Sequence, residues 1–300
     1  MSLRLRSSGL AYQTQIYMKI IKENHISLKF YYNTIMKELK EFWNLASKTV
    51  EKACNILYEQ TKKPIEFYEK EPSHYVTDHD KMIQNLIIDM IKENFSDHKI
   101  IGEEEDKHLK TSDTGVYWII DPIDGTNNFI HQFPFFAVSL ACMVDGQIVI
   151  GIVQNPVTGD RYWARKNIGA FLNKQRINVS KTNSINYGMI AMSVARHGSN
   201  YIDMGALAKV LWNTAQATRT MGSAALETCQ VASGRFDAFL SSKVKIWDNA
   251  AANLIVTEAG GTVTNLVGEE YQFNDEVLVT NGLLHPYFID LINNYKHNNK

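Results

Sequence analysis

The chain has 300 residues, 45% of them apolar or aromatic and 21% charged. That composition belongs to a soluble globular protein with a sizeable core, and it excludes a fibrous repeat, a disordered tail and a small disulfide scaffold. With 31 basic against 32 acidic residues the formal net charge is -1, so bulk attraction to nucleic acid or to an anionic membrane is not the leading expectation. Cys54, Cys142 and Cys229 are scattered and form no C-x-x-C pair, which fits a reducing compartment and no zinc or disulfide framework. The histidines form no ligand pair, and no apolar run reaches the length of a bilayer span.

The first 22 residues carry Arg4, Arg6, Lys19 and Lys22 and no acid. They lack the apolar core and cleavage site of a secretory signal. Their acid-poor character is shared by organellar transit peptides; the preferred reading is an upstream-extended start with Met36 as the natural first residue. From Thr34, Leu39, Phe42, Trp43, Ala46, Val50, Ala53 and Leu57 recur at helical spacing, which predicts an amphipathic helix to about Gln60. A polar stretch with Pro64 and Pro72 follows, then a helix from Asp80 to Ile91 and a short strand over Lys99 to Ile101 that ends in Gly102-Glu103-Glu104-Glu105. Val116 to Ile120 reads as a buried strand that stops at Asp121-Pro122-Ile123-Asp124-Gly125-Thr126. The runs FFAVSLACMV and QIVIGIV flank Asp145-Gly146, a hairpin signal, and Arg161 to Ala164 reads as the next strand. The middle of the chain is therefore expected to be an antiparallel meander, which argues against a doubly wound fold.

Beyond Ser180 the elements alternate. Strands are expected over Tyr187 to Ser193 and Phe236 to Leu240. Helices are expected over Tyr201 to Trp212, from Gly222-Ser223-Ala224-Ala225 to Gly234, from Asp248 to Gly260, and over Phe288 to Tyr295. Two αβ lobes follow, 36–183 and 184–300, with residues 1–35 as an extension.

The acids carry the chemistry. Asp121 and Asp124 converge if the chain turns between them; Pro122 fixes one φ and Gly125 permits a close backbone approach. Converging carboxylates repel unless a cation sits between them, and oxygen ligands, with the Ile123 carbonyl, suit Mg²⁺. The plain alternative is that Asp-Pro and Asp-Gly only make a turn. Gly125-Thr126-Asn127 offers N–H groups to an anion, the Glu103 to Glu105 run ends a neighbouring strand, and Asp248 opens a helix either as a plain N-cap or as a further ligand.

On these residues the chain resembles the inositol monophosphatase family, in its bacterial extragenic-suppressor branch. The matching segments are VTDHD (76–80), IIGEEE (100–105), YWIIDPIDGTNNF (117–129), RTMGSAALETCQVASGRFDAF (219–239) and WDNAAANLIVTEAGG (247–261), within 36–300. The resemblance implies a layered αβαβα sandwich with mixed and antiparallel sheets, of the α+β class. It implies a lithium-sensitive phosphomonoesterase acting on inositol monophosphate with two or three Mg²⁺ ions, cytoplasmic and homodimeric. Glu103, Asp121 and the Ile123 carbonyl resemble the ligands of the first ion, and Asp121, Asp124 and Asp248 those of the second; Glu103 borders a third. Thr126 and Glu103 orient and deprotonate the attacking water, Asp80 hydrogen-bonds the threonine, and the Gly125 and Thr126 N–H groups hold phosphate. Gly222, Ser223 and Ala224 match the residues that bind the alcohol. Ser241 stands where the family has an acid, with Lys243 and Lys245 nearby, and the family's upstream lysine has only Lys70, one position out. The lysines are read either as solvated surface or as a preference for a more anionic substrate, a bisphosphate or NADP. In a third reading the chain contacts RNA polymerase or RNA-processing machinery, as some relatives do.

Overall fold

The computed structural model describes residues 28–71, 74–105, 114–193, 203–242, 244–273 and 276–298. The basic segment 1–22, Lys243 and the side chain of Lys70 lie outside the described residues. By internal contacts the chain forms two units, residues 1–45 and 46–300.

The first helix among the described residues, α1 (Leu28–Gln60), begins before the expected Thr34, since no Gly or Pro interrupts the run. The polar stretch after it hides a hairpin, β1 (Tyr68–Glu71) with β2 (His74–Val76), too short to show an apolar alternation. Helix α2 (Asp78–Asn94) starts earlier than its apolar stripe because Thr77 and Asp80 form a capping box.

Seven strands make the larger sheet in sequence order: β3 (Lys99–Gly102), β4 (Val116–Asp124), β5 (Ala137–Val144), β6 (Gln147–Gln154), β7 (Arg161–Arg165), β8 (Gly169–Leu172) and β9 (Gln175–Ile177). β3 pairs parallel with β4, and every later pair is antiparallel, the expected meander. A short helix α3 (Thr126–Ile130) sits between β4 and β5.

The second sheet has the order β11-β10-β12-β14-β13, with β10 (Met189–Ser193), β11 (Ala217–Arg219), β12 (Ala238–Ser241), β13 (Thr262–Thr264) and β14 (Val277–Thr280). The helices are α4 (Met204–Thr214), α5 (Ala224–Ala232), α6 (Ile246–Glu258) and α7 (His285–Asn298). Helices α5 and α6 lie between the sheets: Ala250, Ala251, Ile255, Leu226 and Cys229 share one core with Ile119 and Val153 on one side and Phe239 and Val279 on the other. Small residues let α6 approach closely; a Cβ on Gly151 of β6 would lie 2.5 Å from the Ala251 carbonyl oxygen. On the outer face of the smaller sheet, Ile190, Met192 and Leu240 pack with Leu207 and Leu211 of α4 and Phe288 and Ile292 of α7. Helix α2 packs on β4, burying Ile83, Ile87 and Ile91. The result is the expected layered α+β arrangement.

Candidate active site

Strand β4 does not stop at Asp121. It continues to Asp124, and the expected turn is instead a bulge: the register steps from Asp121↔Ser139 to Asp124↔Ala137, one residue more on β4 than on β5. Pro122 has no N–H to give the ladder, so an irregularity there costs little. In an unbroken strand residues three apart face opposite ways. The extra residue turns Asp121 and Asp124 toward common neighbours, since Glu103, Asp124, Asp248 and Asp80 all act on the Asp121 carboxyl.

Each carboxylate has its own hydrogen-bonded seat. Asp121 Oδ1 accepts from the Ile123 N–H at 3.0 Å. Asp124 accepts from the Ser223 hydroxyl and from the N–H groups of Ala224 and Ala225 at 3.1 and 2.9 Å, so it sits on the N-terminus of α5, where a negative charge is favoured. Ser223 is the N-cap of that helix and also accepts from Leu226 N at 3.3 Å. Asp248 is not the N-cap of its helix. Helix α6 begins at Ile246, and the Asp248 carboxylate reaches back to the Lys245 N–H at 2.7 Å. Asp80 accepts from the Thr77 N–H and hydroxyl at 2.8 and 2.7 Å. Its other oxygen lies 3.2 Å from the Thr126 hydroxyl, which is also 3.1 Å from the Ile123 carbonyl oxygen. Glu103, half-buried, opens a single 3₁₀ turn after β3.

Gly125 links these parts. Its φ is +92°, and a Cβ there would stand 3.0 Å from the Gly222 carbonyl oxygen and 3.3 Å from that of Phe135. Only glycine meets both demands.

The electrostatics are those of crowded like charges. Burial, then repulsion led by Glu103, holds the Asp121 and Asp248 carboxyls well above the usual carboxylate range. Burial pushes Asp124 up to about 7 against the pull of its three hydrogen bonds, and Asp80 up to about 6. Lys245 is exposed, as the surface reading expects, yet its ammonium favours the Asp248 anion. Among the described residues no three His, Cys, Asp or Glu side chains are already drawn into one metal-binding cluster. The donor set nevertheless fits a hard divalent cation: mutually repelling carboxylates and a carbonyl oxygen, all oxygen ligands.

Of the expected substrate residues, Gly222, Ser223 and Ala224 adjoin Asp124, and Ser241 is buried at the end of β12 beside Ser193 and Val277. Three supporting side chains escaped the sequence reading. Asn128 donates from Nδ2 to the carbonyls of Phe135 and Met221, both at 2.7 Å, tying α3 to the Gly222 turn. Buried Glu227 accepts from Met221 N at 2.8 Å, and burial raises its carboxyl to about 8. Gln84, buried on α2, accepts from the Glu104 N–H at 3.1 Å. A lone buried amide or acid has no sequence signature.

Comparison with known proteins agrees with this architecture. A sequence model described as the inositol monophosphatase family matches residues 38–297. An inositol-1-monophosphatase of Bacillus subtilis is 38% identical over 71% of this chain and 82% of its own length. The Nus factor SuhB of Escherichia coli is 33% identical over 79% of this chain and 90% of its own. Among solved structures, an IMPase from Thermotoga maritima superposes with a TM-score of 0.78 at 30% identity, covering 86% of this chain and 99% of that one.

Proposed function

The chain belongs to the inositol monophosphatase family, and on that premise we propose that it is a Mg²⁺-dependent phosphomonoesterase acting on small phosphorylated polyols, inositol monophosphate first among them. The observation that carries the proposal is that Glu103, Asp121, Asp124 and Asp248 lie near enough within the fold to repel one another. A protein that only binds partners gains nothing by holding four repelling acids together. A phosphate monoester is among the slowest of biological esters to hydrolyse, because its own negative charge repels an oxygen nucleophile. When bound, divalent cations supply charge neutralisation and make a nearby water more acidic.

The chain's own residues then divide the work. Glu103, Asp121 and the Ile123 carbonyl would hold one ion; Asp121, Asp124 and Asp248 would hold a second, with Glu103 beside a third. The Thr126 hydroxyl, donating to Asp80, presents its lone pairs to the attacking water and so orients it. Glu103 accepts that water's proton. The N–H groups of Gly125 and Thr126 face the phosphate oxygens, as expected where a helix begins behind a glycine. Gly222, Ser223, Ala224, Ser241 and Asp248 border the alcohol being released. Phosphoryl transfer asks for positioning and charge rather than a covalent nucleophile, and no Ser or Cys attack is required.

Two further readings have a specific observation each. Neutral Ser241, together with a Lys245 charge that acts on Asp248, favours a more anionic substrate, fructose 1,6-bisphosphate or NADP. The SuhB relative, named a Nus factor, favours a contact with the transcription machinery. A phosphate-release panel over inositol 1-phosphate, fructose 1,6-bisphosphate and NADP, with Mg²⁺ and with or without Li⁺, separates the substrates; equal or better turnover of inositol 1-phosphate removes the anionic preference. Asp121→Asn is expected to lower Mg²⁺-dependent release at least 10³-fold by removing a shared ligand, an estimate of order of magnitude. Retained activity in that variant would end the phosphatase assignment. A regulatory contact would instead survive Asp121→Asn in a pull-down with RNA polymerase. A homodimer is expected by light scattering. Among the described residues no helix is long and apolar enough to cross a membrane, and we place the protein in the cytoplasm unless residues 1–35 direct it to an organelle.

A further inference from the structure

We propose that Gln84 is a positioning residue that fixes Glu103, and that a single face of α2 thereby sets both groups that act on the attacking water. The inference rests on the phosphatase reading above. Gln84 follows Asp80 by four residues, so the two side chains stack on one helix face, and both are buried. Asp80 meets the Thr126 hydroxyl at 3.2 Å. One turn further on, Gln84 Oε1 accepts the Glu104 N–H at 3.1 Å. The first N–H groups of a helical turn have no partner within it, and a turn of one repeat cannot hold itself in place. Gln84 supplies an acceptor from a long helix that is anchored elsewhere.

Steric fit points the same way. A Cβ on Gly102, the residue before Glu103, would lie 2.4 Å from Gln84 Oε1, 2.6 Å from Cδ and 3.0 Å from Nε2. The amide therefore fills the space a side chain at 102 would take, and it holds the backbone on both sides of Glu103.

The test uses Gln84→Leu, which removes the acceptor at similar volume, and Gln84→Glu, which keeps it. In Gln84→Leu the Glu104 amide should exchange with solvent at least tenfold faster by NMR, and kcat at saturating Mg²⁺ should fall about tenfold while KM stays within twofold. In Gln84→Glu both exchange and kcat should stay within threefold of the natural protein. Unchanged exchange in Gln84→Leu, or equal loss of kcat in the two variants, overturns the proposal. If Gln84→Leu does not fold, Gln84→Glu decides alone: faster Glu104 exchange, or a kcat loss beyond about threefold in the folded variant, overturns it, and values within threefold support it. Asp121→Asn run in parallel separates the two levels. Activity in that variant removes the phosphatase reading, whereas the exchange rate at Glu104 reports on Gln84 either way.

Discussion

Replacing Ser223 by alanine removes two interactions at once. The hydroxyl donates to buried Asp124, and its oxygen caps α5 by accepting from Leu226 N. A hydrogen bond to a buried charge contributes about 1.5–3 kcal/mol, and an N-cap about 0.5–2 kcal/mol. Together they amount to about 2–5 kcal/mol, against a total stability for an ordinary domain of about 5–15 kcal/mol. For a unit of this size that converts to a fall in Tm of about 5–15 °C. The catalytic effect should be larger than the stability effect suggests, because Asp124 loses one of the three donors that hold it. A drop in kcat of about 10–10² is expected at 25 °C, where the variant remains folded. Differential scanning calorimetry and Mg²⁺-dependent phosphate release measure the two parts. Ser223→Thr is the control: it keeps the hydroxyl and should recover most of both. A Tm within 2 °C of the natural protein, about the noise of this conversion, would refute the reasoning, as would Thr and Ala variants that behave alike.

Glu227→Gln is expected to change how stability depends on pH. The folded carboxyl is raised to about 8 by burial, so between its unfolded value of 4.5 and about 8 the folded state holds a proton the unfolded state has lost. Natural stability therefore falls as pH rises through that window, by an amount of a few kcal/mol, and Glu227→Gln should lack this part of the slope. Urea unfolding at pH 5 and pH 8 checks it, and parallel slopes in both proteins would count against it. Asn128→Asp replaces a double donor with a carboxylate aimed at two carbonyl oxygens. It should destabilise by about 2–4 kcal/mol and depress kcat; an unchanged urea midpoint would show that the stitch between α3 and the Gly222 turn is dispensable.

The fold was legible where local chemistry repeats. Two nearly continuous apolar runs joined by Asp145-Gly146 specify the meander, and Gly222-Ser223-Ala224-Ala225 marks the opening of a helix. The short edge pieces were not legible: β1, β2 and β11 have three or four residues each, too few to show a period. The Asp121–Asp124 segment reads as a turn but is bulged strand, for a physical reason. Asp, Pro and Gly favour turns in isolation, but here Ile120 and Ile123 are buried within the sheet and tertiary packing keeps the chain in the strand. The position of Asp248 at the third residue of α6, rather than its cap, was equally hidden, because Lys245 has no side-chain capping signature. The residues of the candidate site were readable as motifs. What joins them, the contacts from Gln84, Asn128 and Glu227, depends on distances between segments far apart in the chain, which a single sequence does not encode locally.

The central position of α6 also bears on how the chain is made. The last strand of the larger sheet ends at Ile177, while the helix that covers its inner face begins at Ile246. During synthesis at about 5–20 residues per second, that apolar face waits on the order of several seconds for its cover. Asp248 arrives on the same helix, so the fourth acid joins Glu103, Asp121 and Asp124 only as the sheet is sealed. The unfinished chain is thus at its stickiest before it has any capacity for chemistry, and a stalled product ending near residue 240 would behave as an aggregating fragment rather than as a weak enzyme.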